Sequence, residues 1–107
     1  MINTNEILKK YDIRLTKTLG QNFLTDINII RKIVNEGELE PSDFVLEIGP
    51  GIGSMTCEIA KKAGRVVAVE IDKRLIPALE ETLSDFSNVT LINEDIMKLD
   101  LNSMTGD

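Results

Sequence analysis

The apolar residues of this 107-residue chain change rhythm several times, and each change marks an element. Ile27, Ile30, Ile33 and Val34 recur at helical spacing, which predicts a helix capped by Asp26 and stopped at Gly37. Pro41-Ser42-Asp43 is a turn signal, and Phe44-Val45-Leu46-Glu47-Ile48 after it reads as a strand. Gly49-Pro50-Gly51-Ile52-Gly53 breaks that strand sharply. Ser54 is placed to cap a second helix reaching about Ala63, with Gly64 ending it. Arg65 to Glu70 is another strand, β-branched and mostly apolar. Asp72 can cap a third helix with Leu75, Ile76, Leu79 and Leu83 on its apolar side. Pro77 is awkward there, because inside a helix it costs roughly 3 kcal/mol unless it falls in the first turn. Asn88 to Ile92 is the third strand and ends before Asn93-Glu94-Asp95. Residues 5–10 are expected as a short helix and 16–24 as a loop, while the polar stretch 100–107 is expected to fray.

Strands alternating with helices of this length predict right-handed βαβ units and a parallel sheet. Nearly all-apolar strands suit a sheet covered by helices on both faces. The fold class is therefore α/β, a Rossmann-like half.

Composition narrows the chemistry. With 42% hydrophobic and 28% charged residues the chain is globular, and one Tyr, three Phe and no Trp leave an aliphatic core. The absence of His removes every imidazole mechanism, and a single Cys removes an internal disulfide or a multi-Cys metal cage. No apolar run approaches the roughly 18 residues that span a bilayer, and the first residues do not read as a signal peptide. The expected address is the cytoplasm, with no membrane partner. Net charge is −6, but residues 1–35 sum to +3 and residues 36–107 to −9, so the total is no veto on nucleic acid. Lys9, Lys10, Arg14 and Lys17 could contact phosphate, although a solvated basic face is the plainer reading.

Candidate chemistry gathers at the first βα turn. Glycines let a backbone approach a ligand closely, and the helix that follows offers free N–H groups. The spacing G-x-G-x-G departs from the dinucleotide fingerprint G-x-G-x-x-G, with Ser54-Met55 standing where a close-packing third glycine belongs. Pro50 removes an amide, so a ligand without phosphate fits better. Glu70 ends the second strand, 21 residues after Gly49, where a carboxylate accepts from a ribose diol. Asp95 follows the third strand and can accept from an exocyclic amine such as adenine N6; a turn-forming role is equally open. Glycine turn, diol acid and base acid describe a nucleoside pocket. Asn22, in Gln21-Asn22-Phe23-Leu24, offers both donor and acceptor, while Phe23 and Leu24 read equally well as core.

GQNFL at 20–24, VLEIGPGIGSMT at 45–56, AVEID at 68–72 and NED at 93–95 together resemble the rRNA adenine N6,N6-dimethyltransferase family. The resemblance runs from about Thr16 to Leu101. That family holds housekeeping (KsgA-type) enzymes acting on small-subunit rRNA and Erm enzymes acting on the large subunit. EIGPGIGSMT with Leu75-Ile76-Pro77 is closer to the housekeeping branch and accounts for Pro77. The resemblance implies a class I S-adenosylmethionine-dependent methyltransferase fold with S-adenosyl-L-methionine as cofactor. By it, Asn22 and Leu24 serve the methionine end, Gly49 the sulfonium nucleoside, Glu70 the ribose diol and Asp95 the adenine amine. Gln21, Gly51 and Ile71 are secondary candidates, with Ile71 against the adenine face. Glu47 either orients the loop, aids the methionine ammonium, or is structural.

The family holds its target base with an N-[LI]-P-[YF] motif after a fourth strand, and this sequence contains no such motif. No catalytic residue is assigned. The chain is expected to be an N-terminal portion, truncated after the third parallel strand. Residues 1–25 would be a basic arm and cofactor loop, and residues 26–107 the first half of the methyltransferase domain. Such a piece is expected to be inactive alone, to bind cofactor weakly, and to self-associate through the Phe44–Ile48 edge; small-subunit rRNA is the partner implied for the whole enzyme. An Erm-type enzyme, a nicotinamide-dependent oxidoreductase half-domain and a non-catalytic nucleotide- or RNA-binding module are the alternatives.

Overall fold

A computed structural model describes residues 4–11 and 27–100 of the chain. Strands β1 (Phe44–Ile48), β2 (Arg65–Glu70) and β3 (Val89–Asn93) form one parallel sheet in the order β1-β2-β3. Helices α1 (Thr4–Lys10), α2 (Ile27–Glu36), α3 (Ser54–Ala60) and α4 (Ile76–Thr82) accompany it. Two 3₁₀ turns, Lys73–Leu75 and Ile96–Lys98, follow β2 and β3. The three strands fall within a residue of their predicted bounds. The loop over residues 16–24 and the Asp26 cap lie outside the described residues.

Alternation along β2 divides the core. Val66 joins Ile30 and Val34 of α2 and Ile59 and Ala60 of α3, and Leu79 of α4 and Leu83 just after it pack with Cys57 beneath β3. Val67 and Val69 point the other way, to Leu46, Ile92, Ile96 and Leu99. The sequence predicts helices on both faces; among the described residues they lie on the Val66 face, and the 3₁₀ turn with Leu99 packs on the other. A buried carboxylate ties α2 to α3, where Glu58 accepts from Arg31 at 3.3 Å and from Lys61 at 3.1 Å.

Three local expectations change. Ser54 is the first helical residue, not the cap; Gly53 occupies the cap with φ 90°, because the chain reverses there in a conformation that a side chain disfavours. Helix α3 also ends at Ala60, after which Lys62 and Ala63 both donate to the Ile59 carbonyl and tighten the turn. At α2 the helix ends before Gly37 as expected, but the left-handed conformation falls on Glu38, φ 53°. Pro77 is the second residue of α4, where its missing N–H breaks no helical bond.

Candidate functional site

Parallel pairing brings the carboxyl ends of all three strands to one edge. Ile48 is level with Val69, and Glu70 with Asn93, so the chain leaves β1, β2 and β3 side by side. The Gly49 N–H donates to the Val69 carbonyl at 2.9 Å, carrying the ladder one step into the loop. Asn93 Nδ2 donates to the Glu70 carbonyl at 2.8 Å and fixes the neighbouring exit. Between them lies a cleft of about 110 Å³, lined by Ile48, Gly49, Val69, Glu70, Ile71, Glu94, Asp95 and Ile96.

Of the residues singled out by sequence, Gly49, Glu70, Ile71 and Asp95 meet in this cleft. Gly49 has φ 71°, and a Cβ built on it finds nothing within 4 Å, so its backbone faces open space that a ligand can enter. Glu70 is buried, with Oε1 accepting from Gly51 N–H at 3.2 Å and Oε2 from Asp72 N–H at 3.0 Å. A carboxylate has about four acceptor positions, so two such bonds hold it in place while leaving capacity for more donors. Ile71 is 65% exposed and lends the cleft an apolar wall. Asp95 Oδ1 accepts from Met97 N–H at 2.9 Å and caps the turn, so the turn-forming reading is part of its role. Gly51 stands outside the lining; its amide is spent on Glu70. Asn22, Leu24 and Gln21 lie outside the described residues, as do Arg14 and Lys17.

Sequence reading missed Ile48 and Glu94. Ile48, at the tip of β1, is 60% exposed; the sequence reading expects the Phe44–Ile48 edge to be open but does not assign Ile48 to the cleft. Glu94 adds a third carboxylate, and among the described residues no Lys or Arg lines the cleft. Below the glycine loop the Thr56 hydroxyl donates to Glu47. Burial pushes the Glu47 carboxyl above its ordinary range, which the Thr56 bond partly offsets. The third glycine of the loop does pack closely, since a Cβ on Gly53 would meet Thr82 and Leu79 of α4. Of the basic residues, Lys10 is engaged with Glu81 rather than free for phosphate.

The loop amides are largely turned inward. Gly49 N–H goes to Val69, Gly51 N–H to Glu70 and Gly53 N–H to the Pro50 carbonyl, and Pro50 has none. A pyrophosphate cradle needs those groups aimed at the ligand. This loop instead offers open backbone at Gly49 beside three carboxylates.

Known proteins resemble this chain in sequence and in fold. The family model for ribosomal RNA adenine dimethylase matches residues 13–106. Ribosomal RNA small subunit methyltransferase A of Alkaliphilus metalliredigens is 52% identical over 104 residues, covering 97% of this chain and 36% of its own length. Its counterpart in Shouchella clausii is 56% identical over 98 residues, covering 92% and 33%. The chain thus spans about a third of the length of these curated relatives. The crystal structure of the 23S rRNA methyltransferase ErmE matches with a TM-score of 0.65 at 40% identity, over 70% of this chain and 31% of that one. The fold is the Rossmann-like one of class I S-adenosylmethionine-dependent methyltransferases, represented here by three parallel strands. A family match over most of the chain, two relatives above half identity and a cleft formed by the family-like segments agree: this chain belongs to the ribosomal RNA adenine dimethylase family.

Proposed function

We propose that the chain is the S-adenosyl-L-methionine-binding portion of an rRNA adenine N6,N6-dimethyltransferase acting on small-subunit rRNA in the cytoplasm. The observation that carries this is the cleft's chemistry: Glu70, Glu94 and Asp95 with no lining cation among the described residues, beside a glycine whose backbone faces open space. Such a site repels phosphate and favours a ligand that is cationic and rich in donors. S-adenosylmethionine has a sulfonium, an ammonium, a ribose diol and an adenine amine. We assign Glu70 to the diol, Asp95 to the amine, Ile71 to the base and Gly49 to close backbone approach, an assignment supported by their meeting in one cleft. Asn22 and Leu24 are assigned to the methionine end by resemblance alone.

When bound, the cofactor supplies an electrophilic methyl group, and an adenine N6 amine is the nucleophile that takes it. These residues then act by holding and orienting, the part of such a reaction that needs no covalent enzyme intermediate. The small-subunit branch is favoured because the curated relatives at 52% and 56% identity are named for that subunit, whereas ErmE stands at 40%. A nicotinamide dinucleotide fits less well, since its pyrophosphate meets inward-turned amides and acidic side chains.

Calorimetry of the chain against S-adenosylmethionine and NAD tests the proposal. Binding of S-adenosylmethionine that is weakened at least tenfold by Glu70→Ala is expected, with tenfold being about 1.4 kcal/mol. Binding of NAD alone overturns it.

A further inference from the structure

The glycine loop buries two side chains that the cleft does not use, Pro50 and Ile52, and one of them reaches α1. Ile52, between Gly51 and Gly53, is 5% exposed and packs with Ile7 of α1 and Ala78 of α4, with Tyr11 against the cluster. Ile7 itself is 2% exposed. One turn on, Lys10 Nζ meets Glu81 Oε1 at 2.5 Å and lies 5.6 Å from the centroid of the Tyr11 ring. Neither Ile7, Lys10, Tyr11 nor Glu81 lines the cleft.

A loop with three residues in left-handed conformations has much backbone freedom to lose. Glycines bring no side chain to pack, so the loop's buried side chains are Pro50 and Ile52, and Ile52 is the one that packs with α1. We propose that α1 is a brace for the glycine loop: Ile7 and Tyr11 seat Ile52, and the Lys10–Glu81 clasp seats α1 on α4. Ile7, Lys10, Tyr11 and Glu81 are then positioning residues for the cofactor, a role that rests on the cleft being the S-adenosylmethionine site. A loop in its competent shape only part of the time lowers apparent affinity by that fraction. Loosening the brace therefore weakens binding without removing a ligand contact.

Two measurements on the 107-residue chain separate this inference from the cofactor reading. Hydrogen exchange without ligand reads the amides of Gly51 and Gly53, which bond to Glu70 and Pro50. Ile7→Ala should speed their exchange about tenfold while the β2 amides keep their protection, with Ile7→Leu restoring most of the difference. Calorimetry with S-adenosylhomocysteine should show about tenfold weaker binding for Ile7→Ala. Lys10→Glu and Glu81→Lys singly should weaken binding about two- to fivefold, the range of an exposed ion pair, and the double swap should recover it. Unchanged loop exchange in Ile7→Ala overturns the brace. Failure of the swap to recover affinity overturns the clasp. Responsive loop amides in a wild-type chain that does not bind S-adenosylhomocysteine sustain the brace and overturn the cofactor reading.

Discussion

Gly49 and Gly53 share a left-handed backbone and differ in surroundings, so alanine at each separates two costs. At Gly53, φ is +90° and a Cβ would lie 3.1 Å from Thr82 Cγ2, 3.2 Å from Leu79 Cδ2 and 3.4 Å from Leu83 Cδ2. Comfortable carbon contacts are about 3.5–4.0 Å. Leu79 and Leu83 are 0% and 6% exposed, so they cannot yield into solvent. Left-handed strain costs about 1–2 kcal/mol and core overpacking about 1–3 kcal/mol, giving about 2–5 kcal/mol for Gly53→Ala. At Gly49, φ is +71° with nothing within 4 Å, and only the strain of about 1–2 kcal/mol remains. Each kcal/mol moves Tm by about 4–8 °C in a small domain, so the expected losses are about 8–40 °C and about 4–16 °C. Against a total stability of about 5–15 kcal/mol, Gly53→Ala also risks unfolding the chain. Thermal melts followed by circular dichroism measure both. Affinity should reverse the order: Gly49→Ala, whose methyl enters the cleft, should weaken S-adenosylhomocysteine binding beyond what its stability loss explains. Equal Tm losses for the two variants would refute the reasoning.

Other consequences can be checked more briefly. Burial pushes the Cys57 thiol up to about 11, and its Sγ donates to the Thr82 carbonyl at 3.6 Å, so native Cys57 should resist iodoacetamide at pH 8 and react once urea unfolds the chain. Because that value lies above the ordinary one of about 8.5, the thiol favours folding below pH 8.5 and this contribution fades as pH rises toward 11; Cys57→Ala should lack that component in urea titrations. Glu47 is also raised by burial, so its charge opposes folding at neutral pH. Glu47→Gln, which still accepts from Thr56, should melt higher than wild type at pH 7 and no higher at pH 3. Finally, β1 pairs only with β2 among the described residues, and Phe44 and Ile48 are 38% and 60% exposed. We propose that the 107-residue chain self-associates along this edge. Sedimentation should show a concentration-dependent dimer that Ile48→Lys reduces, and a monomer at every concentration would disprove it.

The strands and the acids at their ends were legible because they depend on local pattern and on a topology that pattern implies. Phe44 to Ile48 and Arg65 to Glu70 matched residue for residue, and parallel alignment then brings Gly49, Glu70 and Asp95 together. Ser54 misled because its capping preference is real but weaker than the loop's need for a positive φ one residue earlier. The competing roles of Asp95 could not be separated in sequence, because one carboxylate can cap a turn and still line a cleft. Least legible was the direction of the loop amides, which follows from strand register. In sequence only the missing amide of Pro50 argues against a phosphate cradle, whereas in the structure Gly49, Gly51 and Gly53 each spend their N–H inside the protein as well. That inward turn does two things at once. It removes the donors that an anion needs, and through Gly51 it fixes the Glu70 carboxylate at the edge of the cleft. Discrimination against phosphate and placement of the diol acceptor are therefore coupled in this loop. Glu70→Gln tests the coupling: it keeps an acceptor for Gly51 but loses the charge, so it should relax the rejection of phosphate-bearing adenosine ligands while weakening S-adenosylmethionine. Competition calorimetry with ADP reads both effects, and a Glu70→Gln variant that still excludes ADP as strongly as wild type would locate the discrimination elsewhere.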